Sequence, residues 1–245
     1  MLRSPIGNSN WSVEVLLVGS WRGATSALLS NGRYYIVVDT GLPHEMHLLA
    51  EALDKRGLHP SDIQIVINTH FHLDHVLNNS LFPQSEIFAS QQSYDWCRAM
   101  YADLLDNPDW EKLALKYYPE TFDYDDARTN MVRLHKFALR WWDLKRLGDA
   151  SQFRWLETQA LPQGLESFLT SGHVPGHVSL IVHSQGTPAI IAGDALLTRE
   201  HDEQVLTMIP HNRAQFHRDR EHILSLSGRI VPGHDQEFST VPPTE

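Results

Sequence analysis

Within six consecutive residues, His70, Phe71, His72, Leu73, Asp74 and His75, the chain presents three imidazoles and one carboxylate. Four donors this close together can converge on one or two divalent ions. The block directly follows the apolar run 63–67, so a strand would deliver it at a sheet edge, where a loop can turn the donors inward. Three later runs end the same way: His173 follows 167–170, Asp194 follows 189–192, and His234 follows 229–231. The candidate ligands are therefore His70, His72, Asp74, His75, His173, Asp194 and His234, enough for two divalent metal ions. Imidazole and carboxylate without thiolate suit zinc first and leave iron, manganese or cobalt open. Structural zinc sites are usually closed and often cysteine-rich, so this donor set points to ions with open positions and hence to catalysis.

The elements that must position these donors are legible as short runs. Residues 13–18, 27–29 and 34–38 read as strands, with Asn31-Gly32 as a hairpin turn. Residues 43–56 carry Met46, Leu49, Ala50 and Leu53 at helical spacing before Gly57 stops them. A strand at 87–89 precedes residues 91–159, an inserted helical layer rich in aromatics, including Trp96, Trp110, Tyr117, Trp141, Trp142 and Trp155. Its best helix is expected from Asp125-Asp126 to Lys145-Arg146, before Gly148, with apolar residues over so wide an arc that it should pack on two sides. Strands at 167–170, 178–182 and 189–192, a helix at 215–226 and a strand at 229–231 complete the pattern. The proline-rich end, 241–245, reads as a frayed tail.

Length and composition bound the function. With 245 residues and 42% hydrophobic content, the chain can bury a core as one domain over 1–245, carrying the helical insertion at 91–159. A formal net charge of −10 opposes loose binding to a phosphate backbone, so no nucleic-acid partner is expected. Cys97 is the only cysteine, which excludes an intrachain disulfide. Residues 1–10 lack a signal-peptide pattern, and no apolar run approaches membrane-spanning length. The expectation is a cytoplasmic protein with a small-molecule substrate and no membrane partner.

Five blocks stand in a familiar order: Val38-Asp39-Thr40-Gly41; residues 69–75; Ser171-Gly172-His173 with Pro175-Gly176-His177; Ala192-Gly193-Asp194; and Pro232-Gly233-His234. Together they resemble the metallo-β-lactamase-fold hydrolase superfamily. The resemblance implies an α/β fold, a four-layer αββα sandwich, with the insertion as core, substrate lid or homodimer surface. It implies that His70, His72 and His173 hold one ion, that Asp74, His75 and His234 hold the other, and that Asp194 bridges them. A hydroxide shared by the ions would be the nucleophile, with Asp74 beside it to pass its proton to the leaving group. His177 would support a ligand instead of being one. Asp39 would either orient a ligand imidazole or serve as an ordinary turn carboxylate.

The pattern is most similar to the lactonase-like members, although those carry a tyrosine three positions after the bridging aspartate, where this chain has Leu197. The expected activity is hydrolysis of a small ester, lactone or thioester. The alternatives are an iron-dependent persulfide dioxygenase and a nuclease of the same fold. A glyoxalase II-type thioesterase is less well matched, because the chain ends soon after His234.

Overall fold

A computed structural model of the chain describes residues 10–20, 23–106, 109–121, 125–184, 186–200 and 210–240. The expectations about residues 1–9 and about the tail at 241–245 lie outside the described residues.

Two sheets carry the architecture. The first contains β1 (Ser12–Leu17), β2 (Ser26–Ser30), β3 (Tyr35–Val38), β4 (Ile65–Ile67), β5 (Glu86–Ala89) and β6 (Phe153–Trp155), side by side in that order. Its first three strands form an antiparallel meander, and β3 to β6 run parallel. The second contains β7 (Leu165–Leu169), β8 (Val178–Val182), β9 (Ala189–Gly193), β10 (Gly228–Pro232) and β11 (Phe238–Thr240), in the order β11-β10-β9-β8-β7. There only β9 and β10 are parallel.

Side chains alternate between strand faces, and the core follows that period of two. Ile36, Val38, Ile65, Ile67 and Phe88 of the first sheet meet Leu180, Val182, Ile191 and Val231 of the second. The intervening Val37, Val66 and Ile87 point outward, against Leu49, Ala52 and Leu53 of α1 (Met46–Asp54). On the far side, Ile190, Ala192 and Ile230 pack with Ile223 of the last helix, Arg213–Ser225. The layers are thus helix, sheet, sheet, helix, the αββα order expected. Strands buried on both faces read as continuous apolar runs, which explains why 63–67 and 189–192 stand out in the sequence.

The connection from β4 to β5 contains α2 (Leu73–Val76), a single turn. Between β5 and β6 stand three helices, α3 (Gln91–Asp106), α4 (Trp110–Tyr117) and α5 (Asp125–Trp141); the helix Arg213–Ser225 is then α6. These helices and the turn after α4 share a core of Cys97, Met100, Tyr101, Leu104, Leu113, Tyr117, Tyr118, Met131, Leu134 and Ala138, which also takes in Phe71 and Leu73 from the histidine-rich loop.

Several details depart from the expectations. The helix α5 stops at Trp141 and not at Arg146, because the Asp143 side chain accepts the Lys145 N–H at 3.0 Å and opens a separate 3-10 turn, Leu144–Leu147. Among its described side chains it packs on one side: Met131, Leu134 and Ala138 form a buried stripe, while Phe137 and Leu139 face outward. Residues 153–155, grouped by their aromatic texture with the helices, are a strand paired in parallel with β5. The turn at Asn31-Gly32 is longer than a two-residue hairpin, since Ser30 pairs with Tyr35 and Asn31 Oδ1 accepts the N–H groups of Arg33 and Tyr34. The strand β11 carried no signal that sequence reading picked up.

Candidate metal centre

His70 and His72 lie in the loop after β4, and α2 presents Asp74 and His75. His173 sits between β7 and β8, Asp194 directly after β9, and His234 two residues past β10. These exits meet. Donor atoms of His70, His72, His173 and Asp194 lie within 4.8 Å of one another, as do those of Asp74, His75 and His234. All seven residues singled out in the sequence fall into these two groups, Asp194 with the first.

The carboxylate of Asp194 spans both groups. Its Oδ2 is 3.2 Å from His173 Nε2 and 3.8 Å from His70 Nε2. Its Oδ1 is 3.2 Å from both His75 Nε2 and His234 Nε2. His72 Nδ1 is 3.0 Å from His173 Nε2, and His234 Nε2 is 3.5 Å from Asp74 Oδ2. Around an ion bound to nitrogen at about 2.0–2.1 Å, tetrahedral ligands sit roughly 3.3–3.4 Å apart. Most of these separations are close to that edge length. Among the buried atoms that make no hydrogen bond are His70 Nε2, His75 Nε2 and Asp194 Oδ1. Leaving such groups unsatisfied costs about 1–3 kcal/mol each. Three of them aimed at shared space fit a bound cation, so the residues present suit a pair of divalent ions.

The opposite nitrogens are mostly committed elsewhere, which sets the direction of each ring. Thr69 Oγ1 donates to Asp39 Oδ2 at 2.7 Å, so it accepts at 3.1 Å from His70 Nδ1. His75 Nδ1 donates to Asp39 Oδ2 at 2.8 Å, and His234 Nδ1 donates to the Ser20 carbonyl at 2.6 Å. Each of these three rings therefore turns its Nε2 inward. Asp39, which also accepts the Thr69 N–H at 2.9 Å, orients a candidate ligand and is not a mere turn carboxylate. Its φ of 54° places it in the left-handed region, which aspartate tolerates better than most residues.

His177 is placed as a support. Its Nε2 accepts the Asp194 N–H at 3.0 Å, so Nδ1 is the protonated nitrogen and donates to Thr170 Oγ1 at 2.8 Å. From there a chain runs through Ser179 Oγ to the Ala192 carbonyl. Both ring nitrogens are used, and neither is left for an ion. Close backbone approach matters as well, since a Cβ on Gly233 would collide with Asp194 Oδ1.

In the metal-free chain the charges are strongly perturbed. Burial pushes His72 down to about 4 and His177 down to about 3, and lowers His70 and His173 well below the usual imidazole value. Burial would lower His234 too, but Asp194 and Asp74 outweigh it and lift the ring to about 9. His75 is likewise raised, by Asp194, Asp39 and Asp74 against burial. Burial would raise Asp194, but His234, His75 and His173 hold it well below the usual carboxylate range.

Exposure grades across the site. His70, His72, His75 and His173 are at most 3% exposed, whereas the side chains of His234 and Asp74 reach 13% and 25%. The centre is closed on the His72 side and open on the Asp74 side. Sequence reading missed Tyr118, whose Oη lies 3.3 Å from His72 Nε2, and Asp219 of α6, whose Oδ2 accepts the Gly172 N–H at 2.8 Å beside His173. Neither stands near a ligand in the chain, so no local signal could have marked it.

Residues 19–234 match the family described as the metallo-beta-lactamase superfamily. The chain belongs to that superfamily, whose members are mostly metal-dependent hydrolases. It is 28% identical over 222 residues to metallo-beta-lactamase domain-containing protein 1 of Mus musculus, covering 89% of this chain and 66% of that protein. It is 25% identical over 187 residues to the N-acyl homoserine lactonase AttM of Azorhizobium caulinodans, covering 74% of this chain and 61% of that protein. The chain thus spans about two thirds of the length of these relatives. Among solved structures, AidC, a dizinc quorum-quenching lactonase in complex with a product, superposes with a TM-score of 0.59 at 17% identity, over 97% of this chain and 92% of that one. No helix among the described residues is long and apolar enough to cross a membrane.

Proposed function

We propose that this chain is a dinuclear metal-dependent hydrolase that cleaves a small ester, lactone or thioester. The observation that carries the reading is the division of Asp194, with one carboxylate oxygen facing His70 and His173 and the other facing His75 and His234. Two divalent ions, zinc foremost, would supply Lewis acidity there, acidifying water and polarising a carbonyl.

The chain's own residues do the rest. Asp39, Thr69 and Ser20 hold the imidazoles with Nε2 inward, so little movement of the rings is needed on binding. The buried His72 side excludes water, and a substrate enters past Asp74 and His234. Asp74 Oδ2, 3.5 Å from His234 Nε2 on that open edge, would take a proton from attacking water and return it to the leaving group. Hydrolysis of lactones by a relative such as AttM supports the substrate class. The position that carries a phenol in the lactonases is here Leu197, half-buried, whose carbonyl accepts the His234 N–H at 2.8 Å. The carbonyl of the substrate is therefore polarised without a phenol from that position.

Metal-replete protein should be assayed against a panel of chromogenic esters, lactones, thioesters and phosphodiesters, with elemental analysis on the same sample. Two ions per chain with turnover of a carboxylic substrate supports the proposal. One iron with oxygen uptake on a persulfide, or turnover confined to phosphodiesters, overturns it.

A further inference from the structure

Among the described residues, Tyr118 brings the insertion within hydrogen-bond distance of a candidate ligand side chain. Tyr118 Oη lies 3.3 Å from His72 Nε2 and donates to Met100 Sδ at 3.6 Å. A phenol has one proton, and a thioether sulfur can only accept. When that proton is directed at Met100, Tyr118 turns lone pairs toward His72, and Nε2 is the protonated nitrogen that donates. The other ring nitrogen, Nδ1, is then bare, and it is the atom 3.0 Å from His173 Nε2 in the cluster. Met100, Tyr118 and His72 are 0%, 4% and 3% exposed, so bulk water does not compete for these bonds. The edge-on packing of Trp96 against the Tyr118 ring, at 5.7 Å between centroids, fixes where the phenol points.

We propose that Tyr118, steered by Met100, is a positioning residue that locks His72 in its Nε2–H tautomer and so presents Nδ1 to a divalent ion. This rests on His72 being a ligand. It makes the insertion part of the metal site: Met100 stands on α3 and Tyr118 directly follows α4, far from any ligand block in sequence. His70, His75 and His234 take their direction from Thr69, Asp39 and Ser20. His72 takes its direction from the inserted helices.

The test uses metal-free full-length protein labelled with 15N-histidine, in which long-range proton–nitrogen correlations report the His72 tautomer, together with zinc binding measured by chelator competition. Wild type should show His72 protonated at Nε2. Tyr118→Phe keeps the ring but loses the phenol; it should show mixed tautomers and a 10–100-fold weaker zinc site at His70, His72 and His173. Met100→Leu keeps the phenol and the volume but frees its proton, and should shift both readouts the same way by less. Tyr117→Phe, whose phenol instead donates to Asp103 at 2.6 Å, should change neither. An Nδ1–H tautomer in wild type, or wild-type tautomer and zinc affinity in Tyr118→Phe, overturns the proposal. If Tyr118→Phe lowers the thermal midpoint sharply, Met100→Leu decides by the same two readouts. If wild type binds no zinc while His72 is protonated at Nε2, the ligand reading fails and the hydrogen-bond reading survives.

Discussion

Asp194 is the residue on which the two halves of the centre depend, because its two oxygens face different imidazole pairs. Asp194→Ala should lower the metal content toward one ion per chain and remove hydrolysis, read by elemental analysis and turnover; full activity in that variant would contradict a bridging role. Asp39 acts one bond further out. Asp39→Asn keeps the shape and tolerates the left-handed backbone, but loses the charge that holds His75 Nδ1. Metal affinity should fall about 10–100-fold with little change in thermal midpoint. An unchanged affinity would return Asp39 to the role of a turn residue.

Among the elements, α6 has a task its sequence does not advertise. Its Phe216 is buried, its Asp219 accepts the Gly172 N–H, and its N-terminus is capped by Asn212, whose side chain accepts from Gln215 N at 2.8 Å. A Cβ on Gly172 would collide with the Phe216 backbone. Gly172→Ala should therefore push His173 away from the centre, at an overpacking cost of about 1–3 kcal/mol, and weaken metal binding as well as stability. Gly32→Ala gives the contrast: nothing lies within 4 Å of its Cβ, and only its φ of 80° opposes the change. It should lose about 1–2 kcal/mol of stability and no metal affinity. Equal metal loss in both variants would show that general destabilisation, not displacement of His173, is the cause.

At the scale of the whole molecule, the charges of the metal-free centre tie metal binding and stability to pH. His234 is raised to about 9, so it is protonated at neutral pH and must release that proton to a metal. Zinc affinity should climb from pH 6 to about 9, and binding near pH 8 should release protons, visible as a buffer-dependent calorimetric heat. For the metal-free fold, the raised His234 contributes stability that is complete below pH 6.5 and fades as the pH rises through about 9. His72 and His177, held at about 4 and about 3, act in the other direction: below pH 6.5 the unfolded chain takes up protons that the folded chain refuses. The thermal midpoint of stripped protein should therefore peak near pH 6.5 and fall on either side; a monotonic profile would sink this account. Zinc at a thousandfold excess over its dissociation constant adds about 4.1 kcal/mol. For a chain of this length that is roughly 8–16 °C in midpoint.

What could be read without coordinates was the chemistry and its order. Donor type, the spacing of 70–75, and the strand runs that end at His70, His173, Asp194 and His234 are local properties, because a buried strand is a short apolar run and its loop follows at once. The αββα layering came through the resemblance those blocks carry. The boundaries of α5, the strand Phe153–Trp155 and the direction of each imidazole did not. Those depend on partners distant in the chain: His75 takes its orientation from Asp39, His234 from Ser20, His72 from Tyr118 and the His173 loop from Asp219. A hydrogen bond selects one nitrogen of a ring only when its partner lies within hydrogen-bond reach, and only the folded chain brings those partners together.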